Sequence, residues 1–249
     1  MGENTDTPKT FPNRFADSYG QSSDRCECFK QQRRKVRFHA ERQDPSAPGW
    51  LHLLDLVEEA AADGRTVFKP LLDLSPSERR EVVTLPPTIA KLTAVEHLDL
   101  YGSNLVRIPP AIGAMVSLRR FDPYTSYRLH WFPYELTRCT RFNNSTVSTR
   151  AIYGNFKFRP PFPALRPPTT DLTDLDPGIW GTESVHTCSV CDGPITELNH
   201  RWITLLVGSD HLPLLVNACS TDCVAALPTP PDDYVPTPHT GGPDLVQPA

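Results

Sequence analysis

Four of the seven cysteines stand in two close pairs whose spacing is typical of metal ligands. Cys188 and Cys191 form a C-x2-C pair, and Cys219 and Cys223 form a C-x3-C pair after 27 intervening residues. Zinc binds four soft ligands in a tetrahedron, and two cysteines on one tight turn can reach the same ion. We therefore predict one structural Zn²⁺ bound by these four thiolates, with iron as the less suitable ion.

Three histidines lie near the cysteine pairs in the sequence and offer alternative ligands: His186, His200 and His211. Four cysteines already complete a tetrahedron, so we interpret these histidines as ordinary surface residues. A site closed by four protein ligands leaves no coordination position for a reactive water, which favours a structural role over catalysis. A metal sensor with reversible occupancy is the alternative interpretation of the same residues.

The residues between the two pairs predict the elements that position them. Apolar runs over residues 202–207 and 212–216 flank a turn segment, 208–211, which is typical of a β-hairpin. Pro213 predicts that the second strand is an edge strand, because proline donates no ladder hydrogen bond. A short helix over residues 220–227 would add its N-terminal dipole to the second pair, and dipoles of that sign favour thiolates. This arrangement over about 40 residues resembles a treble-clef zinc finger.

An internal repeat of three units precedes this region, and its units begin at Leu85, Ile108 and Phe132, 23 and then 24 residues apart. Each first residue precedes a proline, and two further apolar positions recur at fixed offsets: Ile89, Ile112 and Leu136, then Val95, Leu118 and Phe142. The first unit also carries Leu98, Leu100 and Leu105, with Ser103 at the asparagine position of L-x-x-L-x-L-x-x-N-x-L. These residues resemble the leucine-rich repeat family, whose units span about 20 to 29 residues.

The resemblance implies an α/β fold: a short leucine-rich repeat solenoid with an N-terminal helical cap, to which a small zinc-stabilised hairpin and helix module is added. Stacked units bury their apolar sides against each other, so a short array needs a cap. An amphipathic pattern that begins at Trp50 and stops at Gly64 predicts one cap helix. Ser75, Pro76 and Glu78 form a capping box that predicts a second helix, ending near Val83.

The resemblance also implies a binding surface on the concave face, beside the strand leucines. Its residues would be His97, Asp99 and Tyr101 in the first unit and Arg120, Asp122 and Tyr124 in the second. Stacked units would place the two aspartates side by side and the two tyrosines side by side. Exposed tyrosines beside charged groups favour a protein or peptide ligand. Alternatively, the aspartates hydrogen-bond loops and the tyrosines lie beneath the following Pro-rich segment.

The 27 prolines among 249 residues, about twice the usual ~5%, predict that part of the chain lies outside packed elements. Cys26 and Cys28 are interpreted as ordinary thiols, and Cys139 as an inert core thiol. The predicted segments are a disordered arm 1–45 with a basic run, a helical cap 46–84, repeats 85–158, a Pro-rich cover and linker 159–182, a four-cysteine module 183–227 and a disordered tail 228–249.

Charge and hydropathy exclude several classes of function. Residues 170–249 carry one basic residue and eleven acids, a net charge of −10, which repels a phosphate backbone. The N-terminus has no apolar core typical of a signal peptide, and no run approaches the ~18 apolar residues of a membrane span. We therefore expect a cytoplasmic protein without a membrane or nucleic-acid partner at the C-terminal module.

The function predicted from these features is a non-catalytic protein interaction module. The chain lacks the G-x-S-x-G, H-E-x-x-H, P-loop and dinucleotide motifs of common enzyme classes. An enzyme-associated factor, either similar to ubiquitin ligases or a hydrolase, is the alternative from a different class.

Overall fold

The structure is a computed structural model that describes residues 36, 38, 39, 41–172 and 186–248. Most of the basic arm, with Cys26 and Cys28, lies outside the described residues, and so does the segment 173–185. The described chain is a mixed α/β structure with two sheets. None of its helices is long and apolar enough to cross a membrane.

Three helices precede the repeat units: α1 (Pro48–Asp63), α2 (Pro70–Asp73) and α3 (Pro76–Glu81). Helix α1 ends as predicted at Gly64, whose φ of 67° is a left-handed conformation that favours glycine. The capping box of α3 is confirmed, because Ser75 and Glu78 each accept the other's backbone N–H. Helix α3 ends two residues before Val83, whose N–H donates instead to the side chain of Gln43.

Four short parallel strands form the first sheet, in the order β1 (Val67–Phe68), β2 (His97–Asp99), β3 (Arg120–Asp122) and β5 (Asn144–Ser145). Leu98 pairs with Phe121, and Phe121 pairs with Ser145. The offsets of 23 and 24 residues in the sequence repeat thus reappear as the register of the strands. Strand β1 was not predicted; Phe68 pairs with Leu98 and extends the sheet upstream of the first unit.

A 3-10 helix opens each unit directly after its proline: Pro87–Lys91, Pro110–Ala114 and Tyr134–Arg138. Each helix ends where the next backbone N–H donates to the carbonyl of its buried aliphatic residue, Ile89, Ile112 or Leu136. Cys139 closes the third helix, and burial raises the pKa of its thiol to about 11. The prediction of a core thiol is therefore confirmed.

The second sheet contains the predicted hairpin and has the order β4 (Phe132–Pro133), β7 (Asp210–Ala218) and β6 (Asn199–Val207). Strand β7 is central, so the prediction from Pro213 that it lies at an edge is wrong. The parallel pairing with β4 involves only Leu214 and Leu215, so the missing N–H of Pro213 falls outside this pairing.

The hairpin and the third unit share one buried core, whereas the sequence was interpreted as two separate modules. Strand β4 begins the third unit and pairs with β7. At the hairpin tip, Ser209 exchanges backbone and hydroxyl hydrogen bonds with Ser145 of β5. Ile203 and Leu214 belong to the same apolar cluster as the unit residue Phe121. The outer domain boundaries stay a prediction.

The last segment, predicted as a disordered tail over 228–249, is ordered in its described part, and the prediction is wrong there. The backbones of Trp202 and His239 exchange two hydrogen bonds of 2.8 and 3.0 Å, which cover the outer edge of β6. The imidazole of His239 also lies edge-on against Phe162 of the Pro-rich segment, with ring centroids 4.7 Å apart. Aromatic contacts therefore anchor an extended segment whose proline content alone suggested disorder.

Candidate metal centre

The first cysteine pair lies on a tight loop that the backbone closes. The N–H of Cys188 donates to the carbonyl of Gly193 at 2.8 Å, and the N–H of Asp192 donates to the carbonyl of Cys188 at 3.2 Å. Asp192 has a φ of 61°, the left-handed conformation that Asn and Asp tolerate better than most residues. A Cβ at Gly193 would lie 3.3 Å from the Cys191 sulfur, so glycine lets the loop fold closely around that side chain.

The second pair lies where β7 passes into the short C-terminal helix Thr221–Ala225. Ser220 caps this helix by accepting the N–H of Cys223 at 3.2 Å. The N–H of Cys219 donates to the Cys188 sulfur at 3.4 Å, which ties the two pairs together. The hairpin thus brings into contact two cysteine pairs that are far apart in the sequence.

The four sulfur atoms all lie within 4.8 Å of one another and could hold a metal ion. The Sγ atom of Cys219 is 3.6 Å from the sulfurs of both Cys191 and Cys223. A tetrahedron with zinc–sulfur bonds of about 2.3 Å has sulfur–sulfur edges of about 3.8 Å. The predicted set Cys188, Cys191, Cys219 and Cys223 is therefore brought together at a spacing that suits one tetrahedral ion.

The thiols differ in their electrostatic environment. Burial opposes ionisation of Cys188, but backbone N–H groups, first that of Cys191, outweigh it and lower the pKa of the thiol to about 7. Hydrogen bonds with Cys223 and Cys191 raise the pKa of Cys219 to about 12, because a thiol that donates to other sulfurs resists ionisation. A coordinated cation reverses this effect, since thiols deprotonate on binding a metal.

The neighbouring histidines lie outside the four-sulfur cluster. His186 is exposed and His211 packs against Tyr234, with ring centroids 5.0 Å apart. His200 was interpreted as a surface residue, which is wrong: it is buried in β6, and burial, followed by Arg201 and Arg166, lowers its pKa to about 3. The cysteines alone thus form the candidate site.

The third unit supports the cysteine loop through residues that the sequence did not identify. Ser189 donates its hydroxyl to the buried carboxylate of Glu135 at 2.7 Å. The guanidinium of Arg138 donates to the carbonyl of Ser189 at 2.9 Å and forms an ion pair of 2.6 Å with Asp192. These contacts join residues about 50 positions apart, and no local spacing pattern signals them.

The predicted partner-binding residues lie on and after β2 and β3. Asp99 and Asp122 are register partners, as expected from stacked units. Each carboxylate is engaged locally: Asp122 accepts from His97 at 2.9 Å and Arg120 at 2.6 Å, and Asp99 pairs with Lys69 at 3.2 Å. Lys69 follows β1 and was not predicted, because β1 itself was missed.

Tyr101 and Tyr124 lie side by side where the two strands end, with ring centroids 6.0 Å apart. Their exposed fractions are 42% and 46%, so the alternative that a Pro-rich segment covers them is wrong for the described residues. Together with Lys69, His97, Asp99, Arg120 and the buried carboxylate of Asp122 they form one face of the sheet, which we call the tyrosine face.

Comparison of the chain with protein-family models, with curated proteins and with solved structures found no match.

Proposed function

We propose that the chain is a non-catalytic module that binds a protein or peptide through the tyrosine face, while the four cysteines bind one structural Zn²⁺. In this proposal the units form a short leucine-rich repeat solenoid, and the cysteine region is a treble-clef-like finger. The observation that carries the proposal is the exposed, adjacent pair Tyr101 and Tyr124.

The chemistry of the tyrosine face favours a partner held by aromatic contacts. Its carboxylates form ion pairs within the face, Asp122 with Arg120 and Asp99 with Lys69, and Asp122 also accepts a hydrogen bond from His97. Because these charges compensate each other, they supply orientation and specificity more than net attraction. Two exposed tyrosine rings offer a large contact area at a small entropic cost, which is typical of binding hot spots.

Zinc is the ion we propose, because all four donors are sulfur and their spacing fits a tetrahedron. Four thiolates complete the coordination of the ion, so we propose a structural rather than a catalytic metal. Reduced thiolates also suit a cytoplasmic protein. A second candidate role is metal sensing, which the exposure of Cys191 favours because a chelating partner can reach that sulfur.

The binding proposal is tested with a peptide-display selection against the purified chain, followed by Kd measurement for the selected peptides. The double variant Tyr101→Ala/Tyr124→Ala should weaken binding about 30-fold, since losing a hot spot costs about 2 kcal/mol, with little change in melting temperature. Phe156→Ala/Phe158→Ala is the matched control, because these rings are also exposed but lie outside the tyrosine face. The proposal would be refuted if the tyrosine variant bound the peptides as tightly as the natural chain does, or if its melting temperature fell by a large amount.

The metal proposal is tested by elemental mass spectrometry of the purified chain before and after dialysis against a chelator. One zinc per chain that resists mild chelation supports a structural ion. Zinc that exchanges rapidly supports a sensor, and a chain that binds no zinc contradicts both roles.

A further inference from the structure

A polar network joins the loop of Cys188 and Cys191 to the 3-10 helix that opens the third unit. The hydroxyl of Ser189 donates to Glu135 and accepts the N–H of Asn217 at 2.9 Å, while the N–H of Ser189 donates to the Asn217 carbonyl at 2.8 Å. Ser189, Glu135 and Asn217 are all buried. Ser189, which follows Cys188, is thus held by the third unit on one side and by β7 on the other.

Arg138 contacts the same loop at three points. Its guanidinium donates to the carbonyls of Ser189 at 2.9 Å and Cys188 at 3.4 Å, and it pairs with the carboxylate of Asp192 at 2.6 Å. The carbonyl of Cys188 also accepts the N–H of Asp192, so one group of contacts spans the whole turn. A planar guanidinium suits this arrangement better than an ammonium, because its donors are held in a fixed fork.

We infer that Glu135 and Arg138 are positioning residues for the metal centre: they hold the Cys188–Cys191 loop in the geometry that binds the ion, and metal binding in turn stabilises the third unit. The inference rests on the proposed metal binding. It names residues of the repeat units, outside the cysteine region, that set the affinity of the site.

Preorganisation is the physical reason for the effect. The loop contains an exposed cysteine and an aspartate at positive φ, so without external support the binding conformation would be only one of several. Groups that orient metal ligands commonly change metal affinity 10- to 100-fold. Because coupling between two sites is reciprocal, support of the loop by the third unit requires that the bound ion supports the third unit equally.

The third unit can transmit this support, because its 3-10 helix lies directly against the second unit. A Cβ at Gly113 would lie 2.7 Å from the Glu135 carbonyl and 3.2 Å from the Arg138 side chain. The backbones of the two helices therefore approach closely, and the positioning residues are held on the side away from the cysteines as well.

The test is a zinc competition titration with a chromogenic chelator, performed on the full chain. Arg138→Met keeps most of the aliphatic stem and removes the donors, so zinc should bind about tenfold more weakly. Arg138→Lys restores the charge for the ion pair with Asp192 and should recover part of the loss. The matched control is Lys91→Met, because Lys91 occupies the same position in the first unit and pairs with Glu58, outside the network.

A second pair of variants keeps the test decisive if Arg138→Met does not fold. Glu135→Gln retains an acceptor for the Ser189 hydroxyl and should bind zinc as the natural chain does, whereas Glu135→Ala should bind more weakly. Wild-type affinity in both Arg138→Met and Glu135→Ala would overturn the inference.

Amide hydrogen exchange provides the readout that separates this inference from the proposed function. Zinc should slow exchange at residues 134–139 in the natural chain, and this effect should shrink in Arg138→Met. A chain that binds no zinc contradicts the proposed metal site itself. A chain that binds zinc without any change at residues 134–139 contradicts only the positioning role.

Discussion

The apolar layer of the repeat units and the loop of Cys188 and Cys191 are held in place by different kinds of contact. In the units, one aliphatic position recurs as Ile89, Ile112 and Leu136, and all three side chains are fully buried. The cysteine loop is held instead by buried polar contacts, such as the hydrogen bond from the Ser189 hydroxyl to the Glu135 carboxylate. Stacked rows of apolar side chains spread the stability over many similar contacts, whereas each buried polar group depends on a specific partner. The two regions should therefore respond differently to the loss of a single group.

Loss of the metal should have the largest effect, because metal binding supplies much of the folding free energy of small metal-stabilised regions, about 10 to 16 kcal/mol in zinc-finger peptides. We expect Cys223→Ser, or chelation of the natural chain, to abolish amide protection in residues 186–227. The shared core predicts that protection also falls in the third unit, while α1 and the first unit keep theirs.

Hydrogen exchange followed by mass spectrometry measures this response region by region. Cys139→Ala is the control, because Cys139 lies in the core outside the four-sulfur cluster and should leave the response to chelator unchanged. Full protection of the hairpin in Cys223→Ser would contradict a metal-dependent region.

A core substitution in the units should have the next largest effect. Phe121 is fully buried in β3 and meets Phe132 and Phe142 edge-on, at centroid distances of 6.1 and 6.3 Å. Phe121→Ala should lower the free energy of unfolding by about 3 to 5 kcal/mol. Chemical denaturation measures the loss. A comparable fall in the free energy of unfolding for Tyr124→Ala would show that the exposed Tyr124 ring stabilises the fold.

The sequence predicts the contacts of the units better than the docking of the hairpin region, because the contacts of the units are periodic. Residues spaced 23 and 24 apart meet in register, so the pairing of Leu98 with Phe121 follows from the repeat. Strand β1 was missed because two residues, Val67 and Phe68, are too few to show a period. Lys69, which follows β1 and pairs with Asp99 on the tyrosine face, was missed for the same reason.

The cysteine ligands were predictable from spacing alone, but their support was not. Glu135 reaches Ser189 across 54 positions, and strand β4 pairs with a strand about 80 positions away. Such contacts depend on how the hairpin docks, which no short pattern encodes. The ordered tail was missed because prolines suggest disorder, whereas Tyr234 and His239 anchor it through aromatic contacts.

Acidification should weaken the tail that covers β6. Burial lowers the pKa of His239 to about 4, from 6.5 in the unfolded chain. The unfolded chain therefore binds more protons between these values, and the stability present above pH 6.5 is lost as the pH falls towards 4. At pH 5 the loss from this residue should be about 2 kcal/mol.

The variant His239→Gln isolates this contribution, because it lacks the titrating group while the buried histidines His130 and His200 remain. Its stability should fall less than that of the natural chain between pH 7 and pH 5, as measured by denaturant unfolding at each pH. Parallel pH profiles for the two proteins would contradict a partly buried, neutral His239.

The contact between the hairpin tip and the third unit should give the smallest effect, and two glycines allow it to be measured. Gly208 and Gly64 share a φ of 67°, so an added methyl group strains both backbones equally, by about 1 kcal/mol. A Cβ at Gly208 would lie 2.8 Å from the Phe142 ring, whereas the space around Gly64 is open. Gly208→Ala should therefore cost about 1 to 2 kcal/mol more than Gly64→Ala, and the excess reports how closely the hairpin tip packs against the third unit. Equal melting temperatures for the two variants would show that the hairpin tip is not packed against the third unit.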